Sequence, residues 1–177
     1  VAEQLSMLAA PPEMKRSAEI SLCLRYRYSL AREWASGTRC LFVMLNPSTA
    51  DAFADDPTIR RCIGFARAWG HGSLEVVNLF ALRSTDPAAL RTAADPIGPT
   101  NDAILVEAAR RADLVVAAWG KDPMARARAA QVTALVTRHH AMQCLVRNAD
   151  GSPKHPLYVA AGTALVPFAE KQAVRRG

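Results

Sequence analysis

Cysteine is scarce in this chain: Cys23, Cys40, Cys62 and Cys144 are the only 4 in 177 residues. Their wide, irregular spacing fits neither a zinc site nor an iron–sulfur run, and a chain of this length buries enough surface to need no disulfide. All but one stand among apolar neighbours and read as core packing, so the expected compartment is reducing and cytoplasmic. Long hydrophobic runs are missing too, which excludes a membrane-spanning helix. The stretch from Val1 to Ile20 carries Glu3 and Glu13 and has no continuous apolar segment. That pattern argues against a signal peptide and leaves a short helical or loose extension. There are no internal repeats, no low-complexity tract and no linker-like stretch. Residues 23–177 are therefore expected to form a single α/β domain behind an extension over 1–22.

What the chain does contain is 50% hydrophobic and 21% charged residues, a globular composition. A net charge of +6 permits an anionic partner such as nucleic acid. The arginines are scattered, so a basic face has to be assembled by folding.

Hydrophobic periodicity supplies the elements. Leu24 to Trp34 alternates apolar with polar residues and reads as a half-exposed edge strand, its charge opposing edge-to-edge pairing. Its arginines (Arg25, Arg27, Arg32) then face solvent or, alternatively, phosphates. Leu41 to Leu45 is a buried strand that breaks at Asn46-Pro47-Ser48-Thr49, where turn formers cluster. Thr58 to Trp69 carries a helical apolar stripe closed by Gly70. Leu74 to Phe80 is a second buried strand interrupted by Asn78; if buried, that amide needs a partner, either a loop or the edge of a ligand. A helical turn is expected at Pro87 to Leu90, a helix from Pro99-Thr100 to Arg111, a strand at Leu114 to Trp119, a helix at Pro123 to His139 and a last clear strand at Met142 to Val146. Buried strands alternating with amphipathic helices predict a three-layer α/β sandwich around a central, mostly parallel sheet. Right-handed crossovers place the strand ends after Leu45, Asn78, Trp119 and Val146 along one rim, where open α/β sheets bind their ligands.

The loops on that rim hold the unusual polar residues. Asp51, Asp55 and Asp56 could ligate Mg²⁺ beside His155 in a metal-dependent phosphate-cleaving enzyme. Asp56-Pro57-Thr58 equally reads as an ordinary helix start, the favoured role for Asp56. His155 is either a surface histidine beside a proline turn or a hydrogen-bond donor to a ligand. His139-His140 suit a helix C-terminus.

The motifs VMLNPSTADA-x-x-DDPTIRRC, VVNLFALR, AAWG and SPKHPLY closely resemble a bacterial family of unknown function recognisable by its MLNPSTAD signature. The likeness runs from about Tyr26 to Pro167. More distantly, the order of elements is similar to the uracil-DNA glycosylase superfamily. In its mismatch-specific branch a strand ends in Gly-Ile-Asn-Pro-Gly and a helix follows after a Pro. That resemblance implies the same fold and places Asn46 on the residue that positions the attacking water. It places Asn78 on a base-reading Asn and His155-Pro156 on the second motif, where a His stabilises the departing base. It implies a site with Asn46, His155 and Asp51 in catalysis and with Pro47, Ser48, Thr49, Asn78, Arg61 and Tyr158 against the substrate. Arg60, Arg83 and Lys154 would contact nucleic acid, with no metal and no cofactor. The chain departs from the motif at Arg61, which stands where those enzymes stack an aromatic. Met44-Leu45 and Ser48 replace glycines, and Leu157-Tyr158 replaces a Ser-rich loop. The expected activity is cleavage of an N-glycosidic bond in nucleic acid or a nucleotide. A metal-dependent phosphate-cleaving enzyme and a non-catalytic base- or nucleotide-binding module are the alternatives.

Overall fold

The apolar run Cys40–Met44 has no polar face, so it is stable only with strands on both sides and helices above and below. In the computed structural model, which describes residues 13–86 and 88–173, it lies in β3 (Arg39–Met44) at the middle of a seven-stranded sheet. Around it, in chain order, are β1 (Lys15–Ile20), β2 (Arg27–Glu33), α1 (Pro57–Ala68), β4 (Ser73–Asn78), α2 (Ala89–Thr92), α3 (Asn101–Arg111), β5 (Leu114–Ala117), α4 (Ala125–Thr137), β6 (Met142–Cys144), a 3₁₀ turn (Pro156–Tyr158) and β7 (Val166–Ala169). The strand order is β1-β2-β4-β3-β5-β6-β7.

Alternate residues of the central strands point to opposite faces. Phe42, Met44 and Val76 pack with Ile59, Cys62 and Phe65 of α1 on one side. Leu41, Val43 and Val77 pack with Leu105 and Ala108 of α3 and Val132 of α4 on the other. The result is three layers. Phe42, fully buried and stacked on Trp69 with ring centroids 6.0 Å apart, contributes about 2–3 kcal/mol by burial alone. The crossover through α1 carries the chain from β3 to β4 on one face. The next crossover, through α3, returns past β3 to β5 on the other. The strand order thus reverses at β3, and the crevice beyond its carboxyl end is the place an open α/β sheet offers a ligand.

The parallel arrangement is confined to β4, β3, β5 and β6; β1, β2 and β7 run antiparallel at the flanks, so the sheet is mixed rather than mostly parallel. The expected edge strand is an inner one. β2 is covered by β1, whose sequence KRSAEI is too polar to announce a strand and which itself forms the exposed, charged edge. Residues 15–20 are therefore neither helical nor loose, and residues 1–12 lie outside the described structure. The β1–β2 ladder slips by one residue between Glu19 and Ile20. A bulge of this kind reverses the alternation, so Tyr26 and Tyr28 enter one core cluster and Leu30 the other. Arg27 and Arg32 are buried beneath the loop that carries Ala50 and Asp55, to which both are hydrogen-bonded. The helical turn expected from Pro87 is found as α2, with Pro87 itself outside the described residues.

Cys40, Cys62 and Cys144 are buried, Cys23 is exposed and all are free thiols. Among the described residues no helix is long and apolar enough to cross a membrane.

Candidate functional site

Asn46 follows β3 immediately beyond Leu45 and is half-buried. Its Nδ2 donates to the Ser84 carbonyl at 2.9 Å and to the Pro47 carbonyl at 3.2 Å, while Ser84 N–H donates to Pro47 O at 3.0 Å. The loop after β3 is thereby zipped to the chain beyond β4. With its nitrogen committed to the loop, the carboxamide turns its oxygen the other way. Pro47 is buried, Ser48 half-buried and Thr49 exposed in the same turn.

Asn78 ends β4 in register with Met44 of β3 and is 1% exposed. Its side chain braces no loop; that role falls to Asn101, whose Nδ2 donates to the carbonyls of Asn78 and Leu79 at 3.0 and 3.2 Å. The Nδ2 of Asn78 is sealed from solvent without an acceptor. A buried amide left unpaired costs about 1–3 kcal/mol, so its partner is worth seeking in a ligand.

His155 opens the 3₁₀ turn. Its Nδ1 accepts the Leu157 N–H at 3.3 Å, which leaves Nε2 as the protonated nitrogen of the neutral ring. Burial holds its pKa below the ordinary value, and the charge of Asp56 offsets part of that. The ring leans on Tyr158, centroids 5.7 Å apart. A Cβ on Gly120, just beyond β5, would lie 3.4 Å from the His155 Cβ. Asn46, Asn78 and His155 thus come from loops or strand ends on the same rim, at the carboxyl ends of the parallel strands.

The carboxylates are occupied by structure. Asp51 closes its own loop by accepting from the N–H groups of Phe53 at 2.7 Å and Ala54 at 2.9 Å, which keeps its pKa low. Asp55 is ion-paired with Arg16 at 2.7 Å and Arg32 at 2.8 Å. Asp56 caps α1 by accepting from Ile59 N–H at 2.8 Å. Among the described residues no three His, Cys, Asp or Glu side chains gather where they could hold a metal ion.

The remaining expected residues divide. Arg61 donates through Nη2 to the Val159 carbonyl and lies 5.1 Å from the Phe65 ring centroid, tying the 3₁₀ turn to α1 rather than offering its plane to a ligand. Arg60, exposed, donates to the Asp55 carbonyl. Arg83 donates to Leu24 O at 3.3 Å. Lys154 is half-buried, its backbone N–H on Val146 O. Tyr158 is 73% exposed. Two contributors escape a sequence reading. Phe53 projects from the Asp51–Asp56 loop at 89% exposure, an apolar ring with no core to enter. Arg27 looked solvent-facing by alternation and is 2% exposed, because the face it points to is covered by the loop that carries Ala50, which no local signal announces. Its Nη1 donates to Ala50 O, its Nε has no acceptor, and burial pushes its pKa down to about 10.

A cavity of about 1040 Å³ between α4 and β7 has none of these side chains in its lining, although it reaches Gly120 behind His155. It owes its width to alanines on α4 (Ala125, Ala129, Ala130) facing Trp119 and Phe168. Size alone carries no chemistry, and none of the orphaned buried donors lines it. A smaller groove of about 450 Å³ adjoins the Asn46 loop and includes Ser48, Thr49 and Arg83.

A family model described as protein of unknown function (DUF1643) matches residues 27–157, and the chain belongs to that family. No curated protein and no solved structure matches it, from the uracil-DNA glycosylase superfamily or elsewhere.

Proposed function

We propose that this member of the DUF1643 family hydrolyses the N-glycosidic bond of a nucleotide or of a base in nucleic acid, on a uracil-DNA glycosylase-like fold. The observation that carries the reading is the protonation geometry of His155: a neutral ring whose Nδ1 is engaged and whose Nε2–H is left to donate. Breaking the bond between C1′ and the base nitrogen sends the electron pair to the base and leaves a sugar cation. A neutral donor stabilises the charge growing on the base, typically by a factor of about 10²–10³. The oxygen of Asn46, presented by an amide anchored on Ser84, accepts a hydrogen bond from water and directs its lone pair at C1′. The water adds to C1′ and loses a proton to solvent, giving the free sugar hydroxyl, while the departing base anion takes up a proton from solvent and leaves as the neutral base. Asn78 has the unspent N–H to read an acceptor on the base edge. Phe53 and Tyr158 are exposed aromatic faces on which an unstacked base can rest.

Base release from single- and double-stranded oligonucleotides and mononucleotides carrying uracil, hypoxanthine, xanthine and hypermodified bases tests this directly. His155→Ala and Asn46→Ala are expected to lower kcat by about 10²–10³ with substrate affinity little changed, as losses confined to the transition state. Binding without release from any substrate would make the rim a non-catalytic base-recognition site instead. Undiminished release by His155→Ala would remove the mechanism.

A further inference from the structure

The tip of the β1–β2 hairpin is built at a cost. Leu24 has φ +60°, a left-handed conformation that a bulky side chain rarely adopts. It closes a turn in which Leu24 N–H donates to Ser21 O at 2.8 Å and Ser21 N–H to Tyr26 O at 3.0 Å. The turn presents the carbonyls of Leu24 and Arg25 to Arg83: Arg83 N–H donates to Arg25 O at 2.9 Å and its Nη1 to Leu24 O at 3.3 Å. Arg83 is thus tied to the hairpin tip that carries Arg25, whose guanidinium lies 5.8 Å from the Tyr26 ring centroid.

Both arginines line the groove of about 450 Å³, together with Ser48, Thr49, Ser84, Thr85 and two leucines; no carboxylate is in that lining. Behind it stands Arg27, whose Nη1 is bonded to Ala50 O directly beyond Thr49 and whose Nε has no acceptor. Among the described residues no carboxylate is within ion-pair distance of Arg27. The other two arginines sealed in the fold are both matched: Arg32 to Asp55 and Arg128 to Asp102. Guanidinium forks with hydroxyls and no competing carboxylate are the chemistry that selects an oxyanion, above all the oxygens of a phosphate.

We infer that the groove between the hairpin tip and the Ser48 and Ser84 loops is a phosphate site, with Arg25 and Arg83 on the phosphoryl oxygens and Arg27 as a second line of charge. It deepens the reading above, since the wall it shares with Asn46 is the Ser84 carbonyl that holds that amide. A phosphate seated there tethers the nucleotide beside the rim, so the substrate class is a phosphorylated nucleoside, as a mononucleotide or within a strand.

The full chain is titrated with inorganic phosphate and with a nucleoside 5′-monophosphate at constant ionic strength, reading Tm and calorimetric Kd. Saturable binding of both is expected, weakened about tenfold or more by Arg83→Gln and by Arg25→Gln at an exposed position, and unchanged by Arg110→Gln on α3. A Tm rise that does not saturate and is equal in all variants is the general stabilisation of folded proteins by an excluded kosmotropic anion and overturns the inference. So does saturable binding that neither Arg83→Gln nor Arg25→Gln weakens. Displacement of the monophosphate by a single-stranded oligonucleotide assigns the site to a backbone phosphate; retention against it assigns a mononucleotide, and either supports the site. None of these readings needs turnover, so the phosphate site stands or falls separately from glycosidic cleavage.

Discussion

Arg27 and Arg32 share one strand and are both hidden from solvent, at 2% and 0% exposure, yet they are held in opposite ways. Arg32 donates from Nε to Asp55 at 2.8 Å, from Nη1 to the Ala31 and Ser17 carbonyls at 2.8 and 3.3 Å, and from Nη2 to the Asp51 and Ala54 carbonyls. Every arm of the guanidinium is satisfied, and the side chain staples β1 and the Asp51–Asp56 loop to the sheet. Among the described residues Arg27 has one carbonyl acceptor and no carboxylate within ion-pair distance. A buried charge with its partners in place belongs to the scaffold. One without them is kept at a cost, which makes sense where a ligand supplies what is missing.

Several substitutions would break or sharpen that contrast. The largest effect is expected from Arg32→Met, which leaves Asp55 with only its Arg16 partner and frees the loop, at about 3–5 kcal/mol in urea denaturation. Arg27→Met, measured identically and without anions, should be neutral or stabilising because it removes an unpaired buried charge. Equal losses in the two variants would make Arg27 another scaffold residue and erase the distinction.

Next in size is Asn46→Asp. A carboxylate cannot donate to the Ser84 and Pro47 carbonyls, so about 1–3 kcal/mol of stability should disappear, and a stability equal to the parent would show that the amide does not hold the loop. Gly120→Ala follows at about 1–2 kcal/mol, since φ is +80° there and the new methyl meets His155 at 3.4 Å. The loss comes from backbone strain, since a methyl at 3.4 Å is in ordinary contact with His155, so base release should fall in proportion to the folded fraction; a larger fall would show that the strained turn also moves His155.

The mildest expectation concerns pH. For Asp55, burial pushes the pKa up, but the hydrogen bonds and charges of Arg16 and Arg32 prevail and leave it lowered. For His155 burial dominates and lowers the pKa. Both folded values lie below the unfolded ones, so both contributions are fully present above the unfolded pKa and are lost as pH falls through the folded one. Stability should begin to decline as pH drops below about 6.5 through His155 and again below about 3.9 through Asp55. His155→Gln should flatten only the first step in a pH series of unfolding midpoints, and Asp55→Asn only the second.

Much of this was legible in the residues. The elements from β3 through β6 follow the apolar periodicity within a few positions, and the helix start at Asp56-Pro57 is a cap whose acceptor and donor are neighbours in sequence. The family of unknown function was legible in the motifs. Much of the candidate site was not. Arg61 read as a ligand contact because nothing local reveals that Val159, far along the chain, supplies the carbonyl it bonds. The turn of the Asp51 carboxylate back onto the Phe53 and Ala54 N–H groups was not legible either, because its spacing does not tell which way the side chain faces.

The sequence by itself determined where strands and helices form, that they stack in layers, and that Asn46, Asn78 and His155 follow strand ends, because periodicity, capping and turn chemistry act over a few residues. Only the tertiary structure decided that β1 covers β2, that a one-residue slip sends Tyr28 and Leu30 to opposite faces, and which buried charges find counter-ions. Those outcomes depend on pairing between segments distant in the chain. Register along a strand is a property of two strands together, and the partner of a buried charge is settled only when the rest of the core has closed around it.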